Sequence, residues 1–315
     1  MTIYEKRKLR MKRKKQKNFL LFLALILLLA VGMFLRKGVN CSTDVTARDN
    51  AETAQGIMEV HFIDVGQGDA TLIKCGSHAM LIDAGDNSKG TAVQYYLKKQ
   101  GITSLDYLVG THPDADHIGG LDVIMTKFDC GMILMPEIER EIATYRDVTD
   151  AMEYKGYQNT SPVVGAEYSL GEAIFTIVAP VTYDREEYNN SSIGILLEHG
   201  DNSFLFVGDA QMEAEEAMLE TGINLQADVL KAGHHGSSDS GSEAFLNAVK
   251  PQYAVISCGQ DNDYGHPHRA TLKAFRSRGV LIYRTDEQGS IVVTSDGQKL
   301  SFNHSPSASN KSGWE

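Results

Sequence analysis

The chain has 315 residues, of which 42% are hydrophobic and 23% are charged. This length accommodates one large α/β domain or two small ones, and the composition is that of an ordinary globular protein, which excludes a fibrous or largely disordered chain. The formal net charge is −11, but residues 1–37 contain eleven Lys and Arg residues and one acid, so residues 38–315 carry −21. That negative charge opposes long-range attraction of a polyanion.

The N-terminal segment combines basic residues with an apolar run. Nine of the first seventeen residues are Lys or Arg, and residues 19–35 form a 17-residue stretch without a charge. A run of this length is at the short end of a membrane-spanning helix, and the positive-inside rule places residues 1–18 in the cytoplasm. We predict a single-pass signal-anchor over 19–35, with the main domain on the extracytoplasmic side of the cell membrane. Cleavage near Ala30-Val31-Gly32, which would release a secreted protein, is the alternative.

Other stretches lack the patterns of ordered structure. Residues 38–56 are polar and without periodicity, which predicts a flexible linker, and the composition of residues 304–315 predicts a disordered tail. The cysteines are widely separated and have no paired metal-binding spacing: Cys41, Cys75, Cys130 and Cys258. We predict that they are small buried residues, although export would permit a disulfide.

From residue 57 onward, short apolar strands alternate with amphipathic helices. In the first half, strands are predicted at 58–63, 70–74, 80–82 and 105–109, and helices at 91–100, 120–127 and within 137–158. In the second half, strands are predicted at 172–179, 193–199, 203–207, 227–231, 252–257, 280–284 and 290–294, and helices at 211–221 and 269–278. Strand-rich halves with interspersed helices predict one α/β domain over 57–303, built from two packed sheets covered by helices.

The most informative segment is Thr-His-Pro-Asp-Ala-Asp-His-Ile-Gly-Gly at 111–120. It follows the strand at 105–109 and places four ligand-type side chains within six positions: His112, Asp114, Asp116 and His117. A tight loop at the end of a buried strand can turn several side chains toward one point. Imidazole and carboxylate ligands suit zinc, with manganese or iron as alternatives. A solvated, Asp-rich turn is the competing interpretation, and ligand-type residues after later strands argue against it.

Those later strands end in Asp209, His234 and His235. Asp209 would bridge two cations, or else cap the helix that follows it. Of the two adjacent histidines, His234 is the first choice as a metal ligand, and His235 is an alternative ligand or a substrate contact. His266, within Tyr-Gly-His-Pro-His, would contact a leaving group or a phosphate oxygen, with metal binding as the alternative.

Further polar residues are predicted around the metal centre. Asn190 and Ser192 would present an amide and a hydroxyl to substrate, although a simple turn explains them equally well. Gln67 and Asp69 lie in a glycine-rich loop that would approach the cations closely. The remaining acids, predicted to support ligand histidines from outside the centre, are Asp64 and Asp83.

These residues predict a two-metal hydrolase. Two divalent cations about 4 Å apart, with zinc preferred and manganese as the alternative, would lower the pKa of a bridging water and hold the scissile group. Asp116, close to both a ligand and that water, would orient the nucleophile and is the predicted catalytic residue.

As a set, the motifs resemble the metallo-β-lactamase superfamily, whose signature is His-x-His-x-Asp-His at a strand end. The matching segment is His112-Pro-Asp114-Ala-Asp116-His117, with Asp114 where the family usually has His. This variant resembles the subgroup found in the C-terminal hydrolase domain of the competence protein ComEC, over about residues 57–295. The resemblance implies a four-layer αβ/βα sandwich and a binuclear site. It also implies that His112 and Asp114 bind one metal, Asp116 and His117 bind the other, Asp209 bridges them, and His234 or His235 completes the shell.

Two features depart from the family. A separate histidine between the first motif and the bridging Asp is not evident, and His199, late in a strand, is a weak candidate. The chain has one hydrophobic segment, so the many-helix channel of the DNA-uptake protein is not expected.

The resemblance implies phosphodiester hydrolysis, with DNA among the candidate substrates. A phosphocholine or teichoic-type envelope ester and a lactone are alternatives, and a membrane-tethered accessory protein that binds metal without turnover is the alternative from another class. One basic cluster stands out in the domain, and it is interpreted as a solvated helix face: Arg269, Lys273, Arg276 and Arg278. No protein partner is inferred.

Overall fold

The structure is a computed structural model, and it describes residues 56–314. The basic segment, the membrane anchor and nearly all of the linker predicted for the N-terminus lie outside these residues. Within residues 56–314, no helix has the length and apolar character needed to cross a membrane.

The first sheet is built mainly from the N-terminal half of the described chain. Its strands are β1 (Met58–Phe62), β2 (Thr71–Cys75), β3 (His78–Ile82), β4 (Ser104–Val109), β5 (Asp129–Leu134), β6 (Asn159–Thr160), β14 (Ile291–Ser295) and β15 (Leu300–Phe302). They lie in the spatial order β15-β14-β1-β2-β3-β4-β5-β6. The pairs from β15 to β3 are antiparallel, whereas β3, β4, β5 and β6 are parallel. The loops after β3 and β4 therefore leave the sheet at the same edge.

The second sheet has the same division into an antiparallel and a parallel half. Its strands are β7 (Glu167–Leu170), β8 (Ala173–Ala179), β9 (Gly194–His199), β10 (Asn202–Phe206), β11 (Val229–Lys231), β12 (Tyr253–Ile256) and β13 (Leu281–Arg284). They lie in the order β13-β12-β11-β10-β9-β8-β7, and β10 to β13 are parallel. The loops after β10, β11 and β12 thus share one edge.

Helices cover the outer face of each sheet. They are α1 (Gly90–Lys99), α2 (Ala115–Ile118), α3 (Leu121–Lys127), α4 (Ala143–Lys155), α5 (Met212–Glu220), α6 (Glu243–Val249), α7 (Arg269–Ser277) and α8 (Thr285–Gln288). Local chemistry sets several of their ends. At α6, for example, the Ser242 hydroxyl accepts a hydrogen bond from Phe245 N, and α4 ends at Gly156, whose φ of 69° requires a left-handed backbone.

Three apolar clusters separate the layers. Phe62, Phe175 and Phe204 are fully buried between the two sheets. A second cluster packs α1, α3 and α4 on the first sheet, and a third packs α5, α6 and α7 on the second sheet. Replacing any of these central phenylalanines by Ala would cost about 3–5 kcal/mol. The structure is therefore a four-layer αβ/βα sandwich, which confirms the predicted architecture.

The C-terminal segment differs from the predicted disorder, because residues 304–314 lie against β13 and α7. Ser307 N donates to Ile282 O at 2.7 Å, and Arg276 Nη2 donates to the carbonyl oxygens of Ser307 and Ser309 at 3.1 and 2.6 Å. Each partner is more than twenty residues away in sequence, so the polar composition of the segment does not reveal it.

Candidate metal centre

The polar residues predicted for the site follow parallel strands of both sheets. His117 lies on α2, after β4, whereas Asp209 follows β10 and His235 follows β11. The carboxyl ends of parallel strands meet at one edge, which is the usual place for a site in such folds. Asp69, His117, Asp209 and His235 are buried there, and their ligand atoms all lie within 4.8 Å of one another. These four residues are called the central cluster below.

Unusual backbone conformations aim some of these side chains. Asp83, His234 and His235 have φ values of 58°, 45° and 53°, in the left-handed region that non-glycine residues rarely adopt. Each such residue costs on the order of 1–3 kcal/mol, and such residues cluster at functional sites. Gly68 has a related role, because a Cβ at this position would lie 2.3 Å from Asp116 O. Its absence allows the loop to approach α2, as the glycine-rich sequence predicts.

His117 is oriented by a carboxylate behind it. Its Nδ1 donates to Asp83 Oδ2 at 2.8 Å, and Asp83 also accepts hydrogen bonds from Thr111 N and Thr111 Oγ1. With Nδ1 occupied, Nε2 faces the cluster, 3.3 Å from Asp209 Oδ2. Asp83 is thus placed outside a ligand histidine, where it would fix the tautomer.

His235 approaches the same carboxylate from the second sheet. Its Nε2 lies 3.3 Å from Asp209 Oδ2, from Asp116 Oδ2 and from His117 Nε2. Its Nδ1 donates to Ser257 O at 3.0 Å. Two imidazole nitrogens and two carboxylates therefore converge on one small volume.

Asp69 completes the cluster from the glycine-rich loop. Its Oδ2 pairs with Lys231 Nζ at 2.8 Å, and its Oδ1 lies 3.5 Å from His235 Nδ1. Lys231 ends β11 and is 2% exposed. No role was predicted for Lys231 from the sequence, although a lysine ending an otherwise apolar strand is a usable signal.

His112 lies beside the cluster. Its ring centroid is 4.2 Å from that of His117, and its Nδ1 lies 3.3 Å from Ser192 Oγ, which also accepts a hydrogen bond from Asp209 N. Its buried Nε2 has no hydrogen-bond partner among the described residues. Ser192, predicted to contact substrate, instead links His112 to the backbone of Asp209.

Asp114, a predicted metal ligand, has a partner in the structure. Its carboxylate forms an ion pair with Arg140 Nη1, and the Arg140 guanidinium lies 4.8 Å from the centre of the Tyr188 ring. The predicted pairing of Asp114 with His112 at one metal therefore stays a prediction, and Asp114 is not among the four residues of the central cluster. Arg140 lies 26 residues further along the chain, and no local sequence signal marks it.

The two adjacent histidines take different positions relative to the central cluster. His234, the first choice from the sequence, has Nδ1 3.1 Å from Asp239 Oδ1, and its Nε2 is 3.8 Å from Asp209 Oδ2. His235 occupies the central cluster instead. The ring of His266 lies 5.3 Å from that of His234, and its Nδ1 is buried without a hydrogen-bond partner in the described part of the chain.

Several other predicted residues make their contacts outside the central cluster. Gln67 Oε1 accepts from Gly259 N, Asn190 Oδ1 accepts from Gln211 N, and exposed Asp64 accepts from Gly66 N. None of these contacts is with a cluster residue. His199, the weak candidate for a further ligand, has Nδ1 2.8 Å from Ser295 Oγ and is not part of the central cluster.

Burial and charge oppose each other at the central residues. Burial alone would lower the pKa values of His117 and His235, but Asp209 outweighs it and helps to raise both well above the usual value. Burial would raise the pKa of Asp209, but the same two imidazoles hold it well below its usual range. Without a cation, protons therefore balance the carboxylates, and a bound cation would replace them.

The pKa values of the outlying histidines shift in the other direction. Burial and the charge of His117 lower the pKa of His112. Burial, with His235 and His234 nearby, lowers the pKa of His266 to about 3. Both rings are therefore neutral at neutral pH and keep a free nitrogen lone pair.

Comparison with known proteins gives a consistent result. The family model described as "Metallo-beta-lactamase superfamily" matches residues 63–260. ComE operon protein 3 of Bacillus subtilis (strain 168) is 31% identical over 251 residues, which cover 74% of this chain and 32% of the relative. Recombination protein 2 of Haemophilus influenzae is 30% identical over 240 residues, covering 75% of this chain and 28% of the relative. The chain thus spans about a third of the length of these relatives.

A solved structure shares the fold. The metallo-beta-lactamase fold protein YhfI from Bacillus subtilis aligns with a TM-score of 0.53 at 12% identity, covering 76% of this chain and 100% of that chain. At this identity the likeness supports the fold alone.

Proposed function

The chain belongs to the metallo-β-lactamase superfamily, and from this premise we propose that it is a metal-dependent hydrolase that cleaves phosphodiester bonds. The proposal includes the membrane anchor predicted at 19–35 and an extracytoplasmic hydrolase domain. Nucleic acid is the first candidate substrate, because one relative is named for recombination.

The observation that supports this proposal best is the pair of imidazole nitrogens that share one carboxylate. His117 Nε2 and His235 Nε2 are 3.3 Å apart, and each lies 3.3 Å from Asp209 Oδ2. Within the described residues, Asp209 Oδ1 and His112 Nε2 are buried without a hydrogen-bond partner. Neutral imidazole and carboxylate are the donors that zinc and similar cations prefer.

These residues fit a divalent cation held by His117, Asp209, His235 and Asp116, with zinc as the first candidate and manganese as the second. When bound, such a cation supplies Lewis-acid polarisation of a phosphoryl oxygen and lowers the pKa of a coordinated water. Asp114 pairs with Arg140, which leaves His112 with fewer partners for a second cation. We therefore propose one tightly held cation, with a second held weakly.

The protein groups around the cation have distinct tasks. Burial opposes ionisation of Asp116, but a hydrogen bond from His235 and the charge of His117 outweigh it and hold the pKa low, so this side chain is a carboxylate at neutral pH. With 34% of its side chain exposed, Asp116 is accessible from solvent and would accept a proton from the attacking water. His234, whose side chain is 20% exposed, would face the leaving group.

The test is a cleavage assay with the full chain, zinc or manganese, and three substrates: single-stranded DNA, plasmid DNA and a chromogenic phosphocholine ester. Asp116→Asn is the test variant. Asp106→Asn is a matched control. Asp106 pairs with His78, the first residue of β3, whereas the cluster lies beyond the carboxyl ends of the strands, and 40% of the Asp106 side chain is exposed. We expect chelator-sensitive cleavage that Asp116→Asn reduces at least about 100-fold and Asp106→Asn leaves intact. Equal inertness of all three proteins with both metals would favour the non-catalytic accessory role.

A further inference from the structure

Helix α7 begins directly after the loop that contains His266, and it has one basic face. Arg269, Lys273 and Arg276 recur at i, i+4 and i+7, so they lie along the same side of the helix. Thr271, Leu272 and Phe275 of the same helix are buried. Three of the four residues of the basic cluster therefore share one helix surface, whereas Arg278 follows the end of α7.

This surface lines a groove of about 670 Å³ between α7 and the C-terminal segment. Its lining residues are Arg269, Leu272, Lys273, Arg276, Ser277, Asn310 and Lys311. Four of them are cationic and none is acidic, within the part of the chain that the structure describes. Acids line a separate cavity of about 420 Å³ on the far side of Lys311, so the positive surface is confined to the α7 side.

Two exposed aromatic rings contact the histidines that precede α7. Trp314 is 70% exposed and Tyr264 is 61% exposed. The Trp314 ring is 5.6 Å from the ring of His268, the residue before α7, and Tyr264 stacks on His266 at 5.7 Å. His266 in turn is 6.0 Å from His235. The groove, the two rings and the cluster are therefore contiguous.

We propose that this surface binds a single-stranded nucleic acid, with phosphates along α7 and bases stacked on Trp314 and Tyr264. A basic groove combined with exposed aromatic rings is the arrangement that sequence-independent single-strand binding uses. In a duplex the bases are stacked internally, and a phosphodiester polymer without bases has nothing to place on the rings. This surface, called the binding track below, would lead a phosphodiester to the metal centre. In that respect the inference rests on the proposed function.

The groove also answers the objection from net charge. Residues 38–315 carry −21, which repels a polyanion at long range. Charges beyond about 8 Å are largely screened at physiological ionic strength, whereas the cations of the groove act in direct contact. Binding would therefore depend on these local contacts.

The test measures binding without cleavage. Fluorescence anisotropy of a labelled oligothymidylate of about 15 nucleotides is recorded with the full chain in EDTA, over a series of salt concentrations. The test variants are Lys273→Glu and Trp314→Ala. Their matched controls are Lys98→Glu, an exposed lysine on α1, and Tyr154→Ala, an aromatic residue on α4 that is 83% exposed. All five proteins share the basic N-terminus, so differences between them report on the groove and the rings.

We expect each test variant to weaken binding about tenfold and each control to leave it within about twofold. Lys273→Glu should also reduce the slope of log affinity against log salt by about 0.7 or more. Unchanged binding by both test variants would overturn the inference. Equal affinity for poly(glycerol phosphate), without a loss from Trp314→Ala, would assign the groove to a polymer without bases and would also overturn it.

The two proposals can fail separately. Variant-sensitive binding without cleavage of any ester would remove the proposed hydrolase function and leave the binding track. Metal-dependent cleavage with binding insensitive to both test variants would remove the track alone.

Discussion

His117 and His235 come from different sheets, yet their Nε2 atoms lie 3.3 Å apart and face the same oxygen of Asp209. Each ring is fixed from behind, His117 by Asp83 at 2.8 Å and His235 by Ser257 O at 3.0 Å. Because both Nδ1 atoms are occupied as donors, both Nε2 atoms are available to the centre of the site. The architecture thus prepares a cation site before any cation binds.

Asp83 should act through His117. Asp83→Asn keeps the shape of the side chain but removes the negative charge behind the ring. Loss of such outer partners typically weakens metal affinity about 10- to 100-fold. Zinc affinity measured by competition with a chromogenic chelator should fall within this range. Asp106→Asn, which alters an Asp–His pair outside the site, should not change it. Equal zinc affinity of Asp83→Asn and the unmodified chain would refute the supporting role.

Asp114 should be dispensable for the tightly held cation, because its carboxylate is paired with Arg140. We expect Asp114→Ala to change the affinity for the first equivalent of zinc by less than about threefold, since a group that is not a ligand contributes only at long range. Arg140→Ala should behave in the same way. Isothermal titration of the metal-free proteins measures both. Loss of the first binding event in Asp114→Ala would restore Asp114 to the ligand set.

The buried thiols should be unreactive in the folded protein. Burial raises the pKa of Cys130 to about 12 and that of Cys258 further, so both are thiols rather than thiolates near pH 8. Peptides containing these residues should remain unmodified by iodoacetamide until denaturant is added, as measured by mass spectrometry. The upward shift of these two pKa values also affects the stability of the fold. Because these pKa values are raised on folding, ionisation favours the unfolded chain as the pH rises above about 9. Rapid alkylation of Cys130 in the native state would show that its thiol is accessible to solvent, which would contradict the prediction.

Arg276 should stabilise the C-terminal segment. Its guanidinium donates to the carbonyl oxygens of Ser307 and Ser309, and their loss in Arg276→Ala should lower the free energy of unfolding by about 1–3 kcal/mol. Arg278→Ala is the control, since exposed Arg278 bonds to Ala274 O of its own helix and to Asn247. We expect less than about 0.5 kcal/mol for that change. Urea unfolding followed by circular dichroism measures both, and equal destabilisation would contradict the role of Arg276.

Strand ends were the part of the site that the sequence predicted best. His112, Asp116, His117 and Asp209 follow apolar runs whose direction is evident, and the fold brings them together at one edge. The choice between His234 and His235 depended on a left-handed backbone at both residues, which no local pattern indicates. Neighbouring side chains diverge, and only the tertiary structure decides which of them faces inward.

Long-range partners account for the other differences. The Asp114–Arg140 pair and the Asp69–Lys231 pair join segments that are distant in sequence. The strands β6, β7 and β15 were not predicted, because strands of two to four residues have little periodicity of their own. The six-residue strand β5 was also not predicted. The C-terminal segment is held by hydrogen bonds from Arg276 to its backbone carbonyl oxygens. Every residue has such a carbonyl, so the amino-acid composition of the segment does not reveal these bonds.

The most direct test of the central claim is the metal content of the purified, dialysed chain. Elemental analysis by inductively coupled plasma mass spectrometry should find about one tightly bound zinc or manganese ion per chain. His235→Ala should abolish this binding, whereas His78→Ala, which removes a histidine paired with Asp106 outside the cluster, should retain it. A chain that holds no divalent cation, or a His235→Ala variant that retains the full equivalent, would contradict the account.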